Sequence, residues 1–248
     1  MRIRIGHEAL EAARALDVHL PFGEFECHPD AAVTAPCNIN AGFAFASAAR
    51  FGAFSYCGSF VSAYVASVGR YTSIAHGSSF GEGEHPVHWL GSSSCFYAAE
   101  EIWGPYLRRN GKSFTTLPLE PEPKRHGITI GNDVWIGARV YIRGGVQVGD
   151  GAIIGANAVV IRDVPPFAVV AGNPSRVIKM RFADPVIEAL MELRWWDYCF
   201  SAFDGIDLRD PPGAIDRIRA LIDGGLPRYA PAPYRVCELP LVERITPG

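Results

Sequence analysis

Aliphatic side chains return at every sixth position between residues 128 and 173, where Ile130, Ile136, Ile142, Val148, Ile154 and Val160 form one row. A second row, offset by four residues, runs through Val134, Val140, Val146, Ala152, Ala158 and Val164, so each hexad offers one large and one smaller inward side chain. Neither the two-residue period of a strand nor the 3.6-residue period of a helix accounts for this beat. A short fixed period specifies a solenoid, and six-residue units build a parallel β-helix in which each hexad is one flat strand plus a turn and three hexads close a triangular coil. The first-row side chain then faces its equivalents in the coils above and below, about 4.8 Å away. Gly131, Gly137, Gly149 and Gly155 follow that row directly, while Gly144, Gly145 and Gly151 fall near corners, where a missing Cβ permits a tight turn.

A weaker form of the beat begins at Ile39 and runs through Phe45, Phe51, Cys57 and Ala63; it slips by one residue and restarts at Val68, Ile74 and Phe80. The repeat is then absent for about 46 residues before Ile128. An irregular stretch of that length within a compact domain is usually functional. The expected organisation is mainly β: a cap segment over residues 1–38 containing the helical pattern EALEAARAL, and a β-helix over 39–180 interrupted by an excursion loop at 82–127. A helical extension and tail over 181–248 completes it. In that extension Asp184 is expected as N-cap with Pro185 at the first helical position, Trp195 and Trp196 ride on the same amphipathic helix, and GAIDRIRALI forms a second one.

Net charge is −3 with 20% charged residues, which leaves no electrostatic footprint for nucleic acid or a membrane surface. No run of 18 apolar residues exists, so no membrane span is expected, and MRIRIGHEALEAARALDVHL lacks the apolar core of a signal peptide. A cytoplasmic location is the expectation. Six cysteines are scattered without a CxxC pair, as in a chain of reduced thiols, and Cys57 falls at an inward hexad position as a small hydrophobe.

The segment HGITIGNDVWIGARVYIRGGVQVGDGAIIGANAVVIRDVPPFAVVAGNPSRVIKMRF, with VGRYTSIAHGSSFGEGEHPVHWLG and the later WWD, resembles the hexapeptide acyltransferases. Within them it is most similar to the xenobiotic acetyltransferase branch, which includes chloramphenicol and streptogramin O-acetyltransferases and relatives that acetylate sugars. The resemblance covers roughly residues 68–200. It implies a left-handed prism, a homotrimer, acetyl-CoA as donor with no metal, and an active site between subunits. The acceptor would be a small molecule or a saccharide.

His85 matches the family's catalytic histidine at the start of the loop, where a neutral imidazole takes the proton from an acceptor hydroxyl. Glu82 and Glu84 are candidates to orient its other nitrogen or position substrate, with a pair of solvated loop acids as the plain alternative. His88 competes for the base; relatives often hold an acid there, a departure that bears on the substrate's polar contacts. Trp89, Phe96, Tyr97, Trp103 and Tyr106 make the loop aromatic, either as an acceptor pocket, with Trp89 the nearest candidate, or as an anchor to a neighbouring subunit. For the donor, the superfamily pattern points to Ala138 and Ala156 lining a pantetheine groove with Ile161 and Arg162 at the adjacent turn. Arg162, Arg176 and Lys179 would hold phosphates, or simply form a solvated basic edge.

The same base would serve an amine, so aminosugar N-acetylation stays open. So does a γ-class carbonic anhydrase-like zinc enzyme, given His76, His85, His88 and His126 near the loop, although the basic residues at the donor positions and the aromatic loop stand against it. A solenoid that only binds a partner predicts no thioester turnover.

Overall fold

A computed structural model describes residues 1–39, 48–59, 65–81, 84–119 and 127–245. It folds as two compact units, one of residues 1–81 and 126–248 and the other of residues 82–125. In the first, the hexads stack as parallel coils with three faces. One face orders Ala32–Val33, Arg50–Phe51, Val65–Val68, Ile128–Ile130 and Gln147–Val148 side by side, with Tyr234–Arg235 added antiparallel at the edge. The second runs in parallel from Val18–His19 through Cys37–Ile39, Ser55–Cys57, Ser73–Ile74, Trp135–Ile136 and Ile153–Ile154 to Ala168–Gly172, where Ser175–Met180 turns back antiparallel and closes it. The third pairs Ser79–Phe80, Tyr141–Ile142 and Val159–Val160.

Register follows the hexads. Ile136 pairs with Ile154 and Ile142 with Val160, each three hexads on. Phe51 pairs with Val68 and Cys57 with Ile74, one residue short of that spacing, which is the slip visible in the sequence. Phe45 and Ala63 lie outside the described residues. Val164, expected in the second row, instead bridges Val148 in the first-row register, and Val170 pairs with Ile154. Pro165 and Pro166 follow Val164, supply no N–H to a ladder and are locked in φ, so this coil closes two residues early. Pairing also reaches further back than residue 39: Val18 and His19 lie beside Cys37 and Asn38, so the cap segment contributes coil strands. The rest of that segment packs on the same core, with Ile3 and Ile5 on the strand Arg2–Ile5 and Ala9 and Ala13 on helix α1 (His7–Arg14) buried with the coil residues.

Each corner carries a left-handed backbone. Where the first face turns into the second, Phe54, Tyr71, Asp133, Gly151 and Phe167 have φ of 61°, 58°, 52°, 69° and 55°. Their amides donate one coil across, Asp133 to Arg70 O at 2.8 Å, Gly151 to Asn132 O at 2.7 Å and Phe167 to Asp150 O at 2.8 Å. The second-to-third corner repeats the device at Gly77, Arg139 and Asn157. A non-glycine residue in this region costs about 1–2 kcal/mol, which the inter-coil bonds must offset. Hydroxyls finish the accounting inside: Thr72 Oγ1 donates to Gly131 O at 2.8 Å and accepts from Val134 N at 3.3 Å, so this buried hydroxyl links successive coils.

The unit of residues 82–125 is not irregular throughout: it contains helix α2 (Ala99–Arg109). Beyond the coils, helix α3 (Asp184–Leu193) begins at Asp184 itself, so Ala183 is the N-cap and Asp184, expected as the cap, is the first helical residue. Arg194, at φ 50°, ends α3, and Trp195 and Trp196 therefore sit in a separate 3-10 turn (Trp195–Asp197) rather than on the helix. Helix α4 (Pro211–Asp223) follows, and Ile215 and Ile218 on it join Phe167, Leu190, Leu193 and the fully buried Trp196 in a second apolar cluster.

Close coil approach gives a direct stability test. A Cβ on Gly52 would lie 2.5 Å from Gly69 C and 2.7 Å from Arg70 N, both backbone, whereas one on Gly6 meets nothing within 4 Å. Gly52→Ala is expected to lower the urea unfolding free energy by about 1–3 kcal/mol, and Gly6→Ala, which changes only the N-cap of α1, by no more than about 1 kcal/mol.

Candidate functional site

His85 is held within the excursion. Its Nδ1 lies 2.6 Å from Ser92 O and 3.0 Å from the Tyr97 hydroxyl. A carbonyl oxygen only accepts, so Nδ1 carries the proton that bonds it, and no hydrogen bond engages Nε2 among the described residues. Tyr97 stands edge-on to the His85 ring at 5.7 Å and to Trp89 at 6.4 Å, which brings His85, Trp89 and Tyr97 into one cluster. Tyr97 was legible only as one loop aromatic among five; its contact with His85 depends on the turn at Ser94–Phe96 that sequence periodicity does not mark. His88 and Glu84 are exposed, Trp89 is half-buried, and Glu82 and His126 lie outside the described residues. Phe96 packs on Phe114, while Trp103 and Tyr106 remain exposed on α2.

Most of the expected donor residues divide between two corners, with Lys179 apart from both. Ala138 and Ala156 stack at the second-to-third corner: Asn157 N donates to Ala138 O at 2.9 Å, and a Cβ on Gly137 would stand 2.6 Å from Ala156 N. His76 shares this corner, its carbonyl accepting from Arg139 N at 3.1 Å. Arg176 joins from the closing hairpin, opposite Ala171, while Lys179 lies opposite Val169 at the far end of the same strand pair, about 10 Å along it. Both are exposed. Ile161 and Arg162 follow Val160 onto the third corner, beside Arg143, whose amide donates to Val160 O at 2.8 Å. Gly81, the last residue before the excursion, bonds Ile142 O in the next coil at 2.8 Å, so the loop leaves from that same corner.

Residues 127–162 match the family model described as bacterial transferase hexapeptide (six repeats). The chain is 37% identical over 134 residues to a chloramphenicol acetyltransferase of Klebsiella aerogenes, a match covering 53% of the chain and 59% of that relative. It is 47% identical over 73 residues to the galactoside O-acetyltransferase of Escherichia coli (strain K12), covering 27% of the chain and 36% of the relative. The chain thus spans little more than half the length of the first of these curated relatives. Among solved structures, a galactoside acetyltransferase in complex with coenzyme A aligns over 64% of this chain and 70% of the other, at 28% identity and a TM-score of 0.34.

Other chemistry is constrained by burial. Among the described residues no three His, Cys, Asp or Glu side chains form a metal-holding group, and no helix is long and apolar enough to cross a membrane. Burial pushes the thiols of Cys27, Cys37 and Cys57 up to about 11, 12 and 11. They stay protonated and shielded at neutral pH, which leaves them inert as nucleophiles. In the folded protein at pH 8, a disulfide reagent is expected to label the exposed Cys95 first and the half-buried Cys199 more slowly, with Cys27, Cys37 and Cys57 reacting only after denaturation; peptide mapping of the labelled protein reads this.

Proposed function

We propose that this protein is an acetyl-CoA dependent O-acetyltransferase that acylates a hydroxyl of a small molecule or saccharide, with His85 as general base. The observation that carries the reading is the Nδ1 contact with Ser92 O, which holds the neutral ring in the tautomer whose Nε2 can accept a proton. The names of the relatives and the repeat support acetyl transfer as the reaction class.

In this reading Nε2 of His85 takes the acceptor's hydroxyl proton as the oxygen attacks the thioester carbonyl. The carbon–sulfur bond then breaks and the proton passes from Nε2 to the leaving thiolate, which restores the neutral base and releases CoA and the acetyl ester. Ser92 O and the Tyr97 hydroxyl face Nδ1 throughout, and as acceptors they favour the imidazolium that forms between the two transfers. Glu82, Glu84, His88 and Trp89 are assigned to the acceptor side. Ala138 and Ala156 are assigned to the pantetheine arm, with Ile161 at the adjoining turn and Arg162, Arg176 and Lys179 at the phosphates. The smallness of Ala138 and Ala156 at one corner supports the groove, and the exposure of the three cations supports charge-assisted phosphate contacts.

A flat coil face encloses a ligand poorly, so a second wall is needed, and a homotrimer supplies three identical clefts by setting each face against a neighbouring subunit. An amine acceptor would use the same base, and the choice between O- and N-acetylation rests with the acceptor's own nucleophile.

The reading is tested by thiol release from acetyl-CoA with hydroxylated antibiotics, simple glycosides and nucleotide sugars. Turnover with at least one acceptor is expected, and His85→Ala should lower it by ~10² or more with the melting temperature unchanged. Turnover that survives His85→Ala would remove His85 from its role; no turnover with any acceptor and no acetyl-CoA binding would remove the acetyltransferase reading itself.

A further inference from the structure

The first-to-second corner of the prism lies apart from Ala138, Ala156, Ile161 and Arg162, with Lys179 alone of the donor candidates near it, and a cavity opens beside it. A space of about 990 Å³ lies between the corner residues Phe54, Tyr71, Asp133 and Phe167 and the C-terminal segment that carries Trp195 and Ile215. That volume matches what a drug-sized ligand occupies. Its wall is aromatic: Phe54 stacks on Tyr71 at 4.7 Å, Tyr71 meets Trp195 at 4.9 Å, and Phe167 meets Phe182 at 5.9 Å. The Tyr71 hydroxyl is already committed, donating to Tyr198 O at 2.7 Å and accepting from Phe200 N at 3.0 Å, so this ring offers the cavity an apolar surface.

One ion pair breaks that surface. Arg181 Nη1 donates to Asp133 Oδ2 at 2.8 Å and to Gly151 O at 2.7 Å, and the guanidinium lies 5.4 Å and 5.2 Å from the Phe167 and Phe182 ring centres. Both charged side chains are about three-quarters shielded, with 26% and 24% exposure. A guanidinium carries five N–H groups in a fixed fork, and the bonds just named engage one nitrogen. Its Nε and Nη2 N–H groups make no hydrogen bond among the described residues, and Arg181 lines the cavity. The donors there are therefore uncommitted while the charge is cancelled. Because the pair carries no net charge, a carboxylate or an ammonium head gains attraction from one member and repulsion from the other, while a neutral acceptor takes the free N–H groups without the cost of desolvating its own charge.

We infer that this cavity binds a neutral amphiphile, with a ring-sized apolar body against Phe54, Tyr71 and Trp195 and a carbonyl or hydroxyl head accepting from Arg181. The inference is independent of the acetyl-transfer reading, because the cavity's coil residues belong to a different corner from Ala138, Ala156, Ile161 and Arg162.

Calorimetric titration of the full chain, without acetyl-CoA, tests it with three probes that share one body: 1-naphthaleneacetamide, 1-naphthaleneacetate and 1-naphthylmethylamine. The amide is expected to bind at least about 10-fold more tightly than either charged probe, the scale of one hydrogen bond to a charged donor. Leu208→Trp, at the exposed rim of the cavity, should weaken the amide by a similar factor, and Arg181→Met should erase the preference for the neutral head. Should Arg181→Met fail to fold by circular dichroism, the head preference and Leu208→Trp decide. The inference is overturned by absence of amide binding up to millimolar concentration, by equal affinity for all three probes, or by amide binding that Leu208→Trp leaves intact.

Discussion

Backbone hydrogen bonds in this protein run from coil to coil, and that single constraint governs what every corner must be. A ladder such as Ile136 beside Ile154 beside Val170 stays in register only if each intervening coil has the right length or a corner absorbs the difference. The corners do so with left-handed residues whose amides reach one coil across, and with glycines where a Cβ would strike the next backbone. Asp133 and Asn157 suit that conformation because their short polar side chains tolerate it, while Phe54, Tyr71 and Phe167 are held there by the ring contacts they make. The same corner geometry that closes the prism therefore aims large side chains outward in a column, and the C-terminal helices pack over it.

Each corner is thus put to a different use. The first-to-second corner, with its aromatics, anchors the C-terminal cluster around Trp196 and leaves a cavity at its margin. The second-to-third corner has small residues at Ala138 and Ala156, which the proposed function assigns to the pantetheine arm. The third releases the chain at Gly81 into the excursion that carries His85. Function on this scaffold depends less on the faces, whose inward rows are nearly uniform, than on which residues stand where the chain turns.

Much of the fold was legible because the period is strict. First-row residues from Ile130 to Val160 are buried and paired as their spacing requires, and even the one-residue slip before Val68 reappears in the pairing with Phe51. Reading failed where a local signal overrode the period: Pro165 and Pro166 shorten the last coil and shift Val164 between rows. It also failed where packing set an end, as at Arg194, which stops α3 before the two tryptophans. Helix α2 went unread because Gly104 and Pro105 inside it are helix-breaking residues. At the candidate site His85 stood out by its place at the loop's start, but the contact of Tyr97 and Ser92 with its ring could not, since both come from a turn without periodic signature. The Asp133–Arg181 pair was equally hidden, because 48 residues separate its members and no local spacing links them.

The account stands on the claim that the small-residue corner is the donor groove, and calorimetry of acetyl-CoA binding to Ala156→Trp tests it most directly. Ala156 is exposed at its turn, so an indole there fills the groove without entering the core. Wild-type protein should bind acetyl-CoA, and the folded variant should bind it at least ~10²-fold more weakly, the equivalent of about 2.7 kcal/mol. Unchanged affinity in a folded variant would contradict the claim and move the donor site to another corner.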